Sequence, residues 1–259
     1  MTAVSLWNTE TEKKALAMRM DGITYSAIAK ELNTTATSVK HKIRRLQQGS
    51  NMDRYKHTAE KREQANKYIT GTGKYILETH CGFGGMTEFY NNFGEVECYD
   101  IDKKRAAFVN SLAMEGVQAI CADSEAEIYR LIANKCVYDV VDIDPYGMPS
   151  RYFPAVFGLI DDGLLFVTLP MIGVAQINKI TIRHLSAFWG VELGDKDDYV
   201  NRVFARMQDY AFMHKREIEM LDCVKIERVY RICLRVKKRS CCDIVGLIVN
   251  RSAKKIVGA

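Results

Sequence analysis

No stretch of this 259-residue chain approaches the roughly 18 consecutive apolar residues that a membrane-spanning helix needs. The sequence therefore argues against an integral helical membrane protein. Met1 to Trp7 has no basic flank followed by a long apolar core. No signal peptide is expected, and the chain reads as cytoplasmic. Cysteine pairing is also missing. The eight cysteines (81, 98, 121, 136, 223, 233, 241 and 242) form no C-x-x-C unit, and the five His are scattered. Most of these cysteines fall in apolar segments, so they read as buried reduced thiols, with no metal expected. There is no internal repeat or low-complexity tract, which sets aside repeat architectures.

What remains is ordinary soluble globular composition, 47% hydrophobic and 27% charged, long enough for one large domain or two small ones. The net charge of +5 is unevenly placed. Residues 1–74 carry fourteen Lys/Arg against seven Asp/Glu, and the remainder twenty-three against twenty-five. The basic excess belongs to the N-terminal part, which suits a polyanionic partner there.

Residues 7–47 predict three short helices. Thr9-x-x-Glu12 forms a capping box for the first, which ends near Gly22. The second spans Thr24 to Leu32, with Ile28, Ala29 and Leu32 on one face. After the Asn33-Thr34-Thr35 turn, the third runs from Ala36 to Gln47, with Val39, Ile43 and Leu46 inward. Its other face is expected to present Thr37, Ser38, Lys40, His41, Lys42, Arg44 and Arg45. Hydroxyls near the helix start could meet base edges or phosphates, and the later cations a phosphate backbone. The stretches Trp7-Asn8-Thr9-Glu10, Gly22 to Leu32 and Ser38 to Leu46 resemble Myb-like and helix-turn-helix modules. That resemblance implies a nucleic-acid-binding function for residues 1–48. Residues 49–73 read as a linker and a lead-in helix (Ala59 to Tyr68), closed by Gly71-Thr72-Gly73.

From Lys74 to Ala259 strands and helices alternate, the mark of a doubly wound parallel sheet. Strands are expected at Tyr75–Thr79, Val96–Tyr99, Ala119–Cys121, Val137–Ile143 and Leu164–Leu169. A long helix is expected over Tyr199–Leu221, and a terminal antiparallel hairpin over Arg228–Val236 and Ile244–Asn250. Residues 171–198 are less regular. They include Phe188-Trp189-Gly190, read mainly as core aromatics, and Arg183 and His184, possible phosphate contacts.

Two places carry the chemistry. The first strand ends in Glu78-Thr79-His80-Cys81-Gly82-Phe83-Gly84-Gly85, where glycines let the backbone approach a ligand at a helix N-terminus. No Lys-Ser/Thr follows them, which disfavours a phosphate-binding P-loop. Asp100, ending the second strand, can accept from both ribose hydroxyls, and Asp123, after the third, from an adenine amine. The second place is Asp142-Ile143-Asp144-Pro145-Tyr146-Gly147. Pro145 cannot continue a central strand, so the chain leaves the sheet there, in the crevice where open α/β sheets bind ligands.

The order Glu78-x-x-x-Gly82-x-Gly84, Asp100, Cys121-Ala122-Asp123 and then Asp142 to Gly147 resembles class I S-adenosylmethionine-dependent methyltransferases. The resemblance implies a Rossmann-like α/β sheet of seven strands, the last antiparallel, here preceded by the small three-helix domain. It implies S-adenosyl-L-methionine as cofactor, held by Glu78, His80, Gly82, Gly84, Asp100, Asp123 and Asp142. Val140 to Pro149, with Gly163-Leu164-Leu165-x-Val167-Thr168, resembles the tRNA N2,N2-dimethylguanosine methyltransferases and, more loosely, the amino-group DNA methyltransferases. Both groups methylate exocyclic amines. The chain lacks room for the large C-terminal domain of the former, and has Gly147 where the latter carry a ring. Asp144 and the Pro145 carbonyl would accept from the amine, Asp144 would take its proton, and Tyr146 would stack on a base drawn out of its duplex. Asp142 reads as a supporting carboxylate. The expected function is methylation of an exocyclic amine, with duplex DNA favoured (adenine N6 or cytosine N4) because of the N-terminal module. Guanine N2 of tRNA or another RNA is the close alternative, and a non-catalytic DNA-binding regulator the third.

Overall fold

A computed structural model of the chain describes residues 7, 9–20, 23–49, 57–171, 186–187, 190, 198–227 and 229–239. They fall into two compact units, residues 1–56 and 57–259.

The first unit contains α1 (Thr9–Met20), α2 (Tyr25–Glu31) and α3 (Ala36–Gly49). Thr24 begins α2, its hydroxyl accepting from the Ala27 N–H at 3.3 Å, and Thr35 accepts likewise from Ser38 at 3.1 Å. These side chains satisfy amides that a helix start leaves unpaired. Asn33, at φ 51°, makes the turn between α2 and α3. Ala15, Ile28, Ala29, Leu32, Val39 and Ile43 form the core.

The second unit opens with α4 (Thr58–Tyr68). This helix packs on the sheet that follows: Gln64 and Ala65 are buried and Gln64 Nε2 donates to the Arg231 carbonyl at 3.0 Å. Then come β1 (Lys74–Glu78), α5 (Gly85–Tyr90), β2 (Gly94–Asp100), α6 (Lys103–Ser111), β3 (Val117–Cys121), α7 (Ser124–Ala133) and β4 (Val140–Ile143). A run of single turns containing α8 (Phe153–Val156) leads to β5 (Asp162–Pro170), and α9 (Tyr199–Met213), β6 (Arg216–Ile226) and β7 (Val229–Lys238) follow.

The seven strands lie in the order β3-β2-β1-β4-β5-β7-β6, with β1 to β5 parallel and β7 antiparallel to both neighbours. Alternation along each strand builds two cores. Leu77, Tyr99, Val141, Ile143, Leu165 and Val167 face one layer, while Ile76, Val96, Cys98, Val140 and Phe166 face the other. Phe153, Phe157 and Phe166 are fully enclosed, each worth roughly 1.5–3 kcal/mol of apolar burial. Register aligns Glu78 with Cys98 and Asp142, and Asp100 with Cys121. The chemistry-bearing strand ends therefore share one edge, on either side of the β1–β4 reversal of strand order, where such sheets take ligands.

Three expectations change. The helix expected over Tyr199–Leu221 stops at Met213, because Lys215 takes a left-handed conformation (φ 56°) and Glu217, Ile218, Glu219 and Met220 then alternate with period two. The hairpin is thus Arg216–Ile226 with Val229–Lys238, turning at Glu227 (φ 44°), and Ile244–Asn250 lies outside the described residues. Cys121 and Cys223 are exposed, whereas Cys81, Cys98 and Cys233 are buried. Among the described residues no helix is long and apolar enough to cross a membrane, and no group of three or more His, Cys, Asp or Glu could hold a metal ion.

Candidate active site

The end of β1 and its loop form one half of the site. Glu78 is buried and accepts from the Thr87 hydroxyl at 2.5 Å. Burial above all, then Cys98 and the carboxylates of Asp142 and Asp144, push its carboxyl well above the usual range, against the pull of Thr87. His80 is held at both ring nitrogens: Nδ1 lies 2.7 Å from the Thr79 hydroxyl and Nε2 lies 3.0 Å from the Tyr152 hydroxyl. The Thr79 hydroxyl is also 3.0 Å from the Asp142 carbonyl. Burial holds the imidazole pKa below its ordinary value.

Gly82 and Gly84 both take left-handed conformations (φ 53° and 79°). A Cβ on Gly82 would meet nothing within 4 Å, so open space lies over that residue, whereas one on Gly84 would come 3.1 Å from Val109 Cγ2. The Asp100 carboxylate accepts from the Gly82 N–H at 3.0 Å and the Asp102 N–H at 2.8 Å. Each oxygen keeps a further lone pair. Ile101, next in the chain, leaves 76% of its surface exposed. An apolar plate beside a carboxylate and an open glycine loop suits a nucleoside. Asp123 caps α7 by accepting from the Glu125 N–H at 2.9 Å, and its other oxygen lies 3.5 Å from Arg151.

The other half is the turn after β4. Asp142 and Asp144, two residues apart, have different partners. The side chain of Asp142 is 1% exposed and pairs at 2.7 Å with Arg231 from β7, itself 0% exposed. The Tyr90 hydroxyl donates to the same Asp142 oxygen at 2.6 Å. Arg231 also reaches the Thr168 hydroxyl at 3.2 Å and lies over the Phe166 ring. Asp144 instead pairs with Lys61 from α4, the two side chains being 23% and 12% exposed. Burial pushes the Asp144 carboxyl up. Lys61, Arg231 and hydrogen bonds from Lys61 and Thr168 outweigh that and hold it below the ordinary carboxylate range. Tyr146 is fully exposed, and the Pro145 carbonyl accepts from the Gly147 N–H at 2.8 Å, leaving one lone pair for another donor.

The structure thus gathers Glu78, His80, Gly82, Gly84, Asp100, Asp123, Asp142 and Asp144 to Tyr146 at one sheet edge. The long-range partners Lys61, Tyr90, Tyr152 and Arg231 were missed by sequence reasoning, as was Ile101, and Thr168 entered only as the end of a motif. Only Lys61 carried a signal, as a cation in register with Gln64 and Ala65 on the apolar side of α4. Arg183, His184, Phe188 and Trp189 lie outside the described residues.

In the first unit, Thr37, Lys40 and His41 are exposed as expected. Lys42 is not on that face, because it follows Val39 by three residues and so shares the inward stripe. It pairs with Glu12 and lies 5.7 Å over the Trp7 ring. Ser38 accepts from Trp7 Nε1 at 3.2 Å. The side chains of Arg44 and Arg45 lie outside the described set.

No family model matches the chain. Over 105 residues it is 32% identical to the tRNA (guanine(26)-N(2))-dimethyltransferase of Pyrobaculum islandicum, a span of 38% of this chain and 29% of that protein. Its fold is similar to that of Trm1 from Pyrococcus horikoshii, solved in complex with S-adenosyl-L-methionine, with a TM-score of 0.54 and 14% identity over 73% of this chain and 56% of the other. It is similar also to Trm5b from Pyrococcus abyssi, with a TM-score of 0.50 and 15% identity over 71% and 49%. The second unit has the class I methyltransferase fold. The chain spans about half the length of these solved structures and less than a third of the curated relative.

Proposed function

We propose that this chain transfers a methyl group from S-adenosyl-L-methionine to an exocyclic amine of a nucleic-acid base, and that the base is guanine, at N2, in RNA. The observation that carries the reading is the Asp144 carboxylate at the end of β4, held ionised and followed by a rigid turn and a fully exposed ring. The residues around the β1 loop fit the cofactor. Gly82 has open space above it, Asp100 has lone pairs for ribose hydroxyls, and Ile101 offers an apolar face for adenine. When bound, that cofactor supplies an electrophilic methyl on a positively charged sulfur.

The chain's own residues do the rest. An exocyclic amine is a poor nucleophile, because its lone pair is delocalised into the ring. Donation of its N–H groups to Asp144 and to the Pro145 carbonyl returns density to the nitrogen. After transfer, the nitrogen gives its proton to Asp144: an N–H bond breaks and an O–H bond forms. Tyr146 is free to stack on an extruded base. Holding amine and methyl in line contributes as positioning.

RNA stands ahead of duplex DNA because the sequence match is to an enzyme named for a tRNA guanine N2 position. DNA keeps a claim through Thr37, Lys40 and His41, exposed near the start of α3 in a three-helix module suited to nucleic acid. The test is to incubate the full chain with methyl-labelled cofactor and either unmodified tRNA or duplex DNA, then digest and identify the labelled nucleoside. N2-methylguanosine is expected. N6-methyladenine or N4-methylcytosine from DNA would replace this substrate with the other, and tight duplex binding without transfer would leave a regulator.

A further inference from the structure

The proposed reaction uses Asp144 but leaves its partner unexplained. Lys61 stands on a helix that precedes the sheet, 83 residues away in sequence. It shares a stripe of α4 with the buried Gln64 and Ala65, while Glu60, Glu63, Asn66 and Lys67 are exposed. A solvated lysine would sit among the latter. The helix is fastened at several points. The Gln64 amide donates to the Arg231 carbonyl at 3.0 Å, the Tyr68 hydroxyl to the Leu221 carbonyl at 3.2 Å, and Arg62 to the Gly85 carbonyl at 2.6 Å. The ammonium is therefore delivered by a held element, one residue before the arginine that touches the start of α5.

We infer that Lys61 is the positioning residue of Asp144, its ammonium fixing that carboxylate, ionised and oriented, where the acceptor amine meets it. The inference rests on the reading of Asp144 as the amine-facing acid. The groups around Asp144 show why a second cation is needed. Arg231 faces it from β7, Thr168 from β5, Glu78 and His80 from β1 and its loop, and Asp142 from β4 itself. Arg231 makes its direct ion pair with Asp142. Without Lys61 two carboxylates would share one guanidinium, and Asp144, with the Thr168 hydroxyl beside it, would be the one left without a direct cation.

Chemistry makes the pairing compatible with turnover. A methylated exocyclic nitrogen that still carries its extra proton is a stronger acid than a carboxylic acid. A carboxylate of reduced basicity therefore still takes that proton. What Asp144 must not do is begin the cycle protonated, since a carboxylic acid accepts poorly from an amine. Lys61 guards that starting state.

The test begins without substrate, so that it reads the pair apart from the reaction. The carbon-13 resonance of the Asp144 side-chain carboxyl is titrated in the full chain, in wild type and in Lys61→Met and Lys61→Arg, with folding checked by circular dichroism. In Lys61→Met the midpoint should move to higher pH, and in Lys61→Arg it should stay near wild type. The acid limb of kcat/KM on the accepted nucleic acid should follow the same pattern, with cofactor affinity unchanged. An unmoved midpoint in a folded Lys61→Met chain would overturn the inference, and so would loss of activity with an unmoved acid limb. Should that variant not fold, wild type decides alone. The nitrogen-15 resonance of the Lys61 ammonium should report the Asp144 midpoint, and an ammonium blind to it overturns the pairing. A shifted midpoint in a chain that methylates no nucleic acid would leave the pair standing and remove the proposed reaction.

Discussion

Replacing Arg231 with methionine should be among the most damaging single changes in the second unit. The guanidinium is fully enclosed, and Asp142 opposite it is 1% exposed. Methionine fills much of the same volume, so the loss is chiefly electrostatic. It removes the 2.7 Å contact to Asp142 and the donors to Tyr90 and Thr168, and leaves a carboxylate sealed from water with, among the described residues, the Tyr90 hydroxyl as its side-chain donor. Breaking a buried pair from one side costs roughly 3–5 kcal/mol. For a unit of this size about 1 kcal/mol corresponds to roughly 2–4 °C in Tm, so the midpoint should fall by about 6–20 °C. The double variant Arg231→Met with Asp142→Asn separates pairing from packing. It takes away the stranded charge and keeps an acceptor for Tyr90. It should recover much of the loss, with a coupling energy in the upper part of the roughly 0.5–3 kcal/mol range for residues in contact. Urea unfolding of the four chains gives that coupling directly. Strictly additive losses would refute the reasoning, because the two groups would then not be holding each other.

Gly84→Ala meets both a left-handed backbone and a 3.1 Å approach to Val109, so it should unfold earlier than Gly82→Ala, which carries only the conformational penalty of roughly 1–2 kcal/mol. Gly82→Ala should instead weaken cofactor binding by about tenfold or more, read by titration calorimetry, because its methyl enters the open space over the loop. Glu78 has a raised carboxyl pKa, so its contribution is complete below the unfolded value and is lost as pH rises through the folded one. Glu78→Gln should therefore match wild type in acid and unfold at higher temperature than wild type in alkali. A stability gap that does not grow with pH would contradict the shift. Asp144→Asn should lower kcat by roughly 10²–10⁴ while leaving cofactor affinity nearly intact, a result that normal turnover would exclude.

What could be read in the sequence were the local features. Gly82 and Gly84 follow a strand, Asp100 ends another, Asp123 follows a third, and Pro145 forces the chain out of the sheet beside Asp144. Each is visible because neighbouring residues determine the backbone there. The partners come from far away, and apart from the register of Lys61 with Gln64 and Ala65 nothing in the sequence marked them. Lys61 sits in a charged helix of the kind that usually faces water, and Arg231 in a run that declared itself only as a strand. Period confused two elements. Tyr199 to Leu221 looked continuous because a polar edge strand and a helix end share a composition, and a left-handed Lys215 cannot be seen in advance. Lys42 was assigned by its charge, whereas its spacing from Val39 placed it against Trp7.

The two acids of the β4 turn obtain their cations from opposite directions along the chain. Lys61 precedes Asp144 by 83 residues, and Arg231 follows Asp142 by 89. On a ribosome adding roughly 5–20 residues per second, the counter-charge of Asp144 already exists when that acid emerges, while that of Asp142 arrives about 4–18 seconds later. During that interval the nascent sheet must either keep its central acid wet or hold it protonated. Closure of the central crevice therefore waits for the hairpin of β6 and β7, so the interior of this domain is completed late in synthesis.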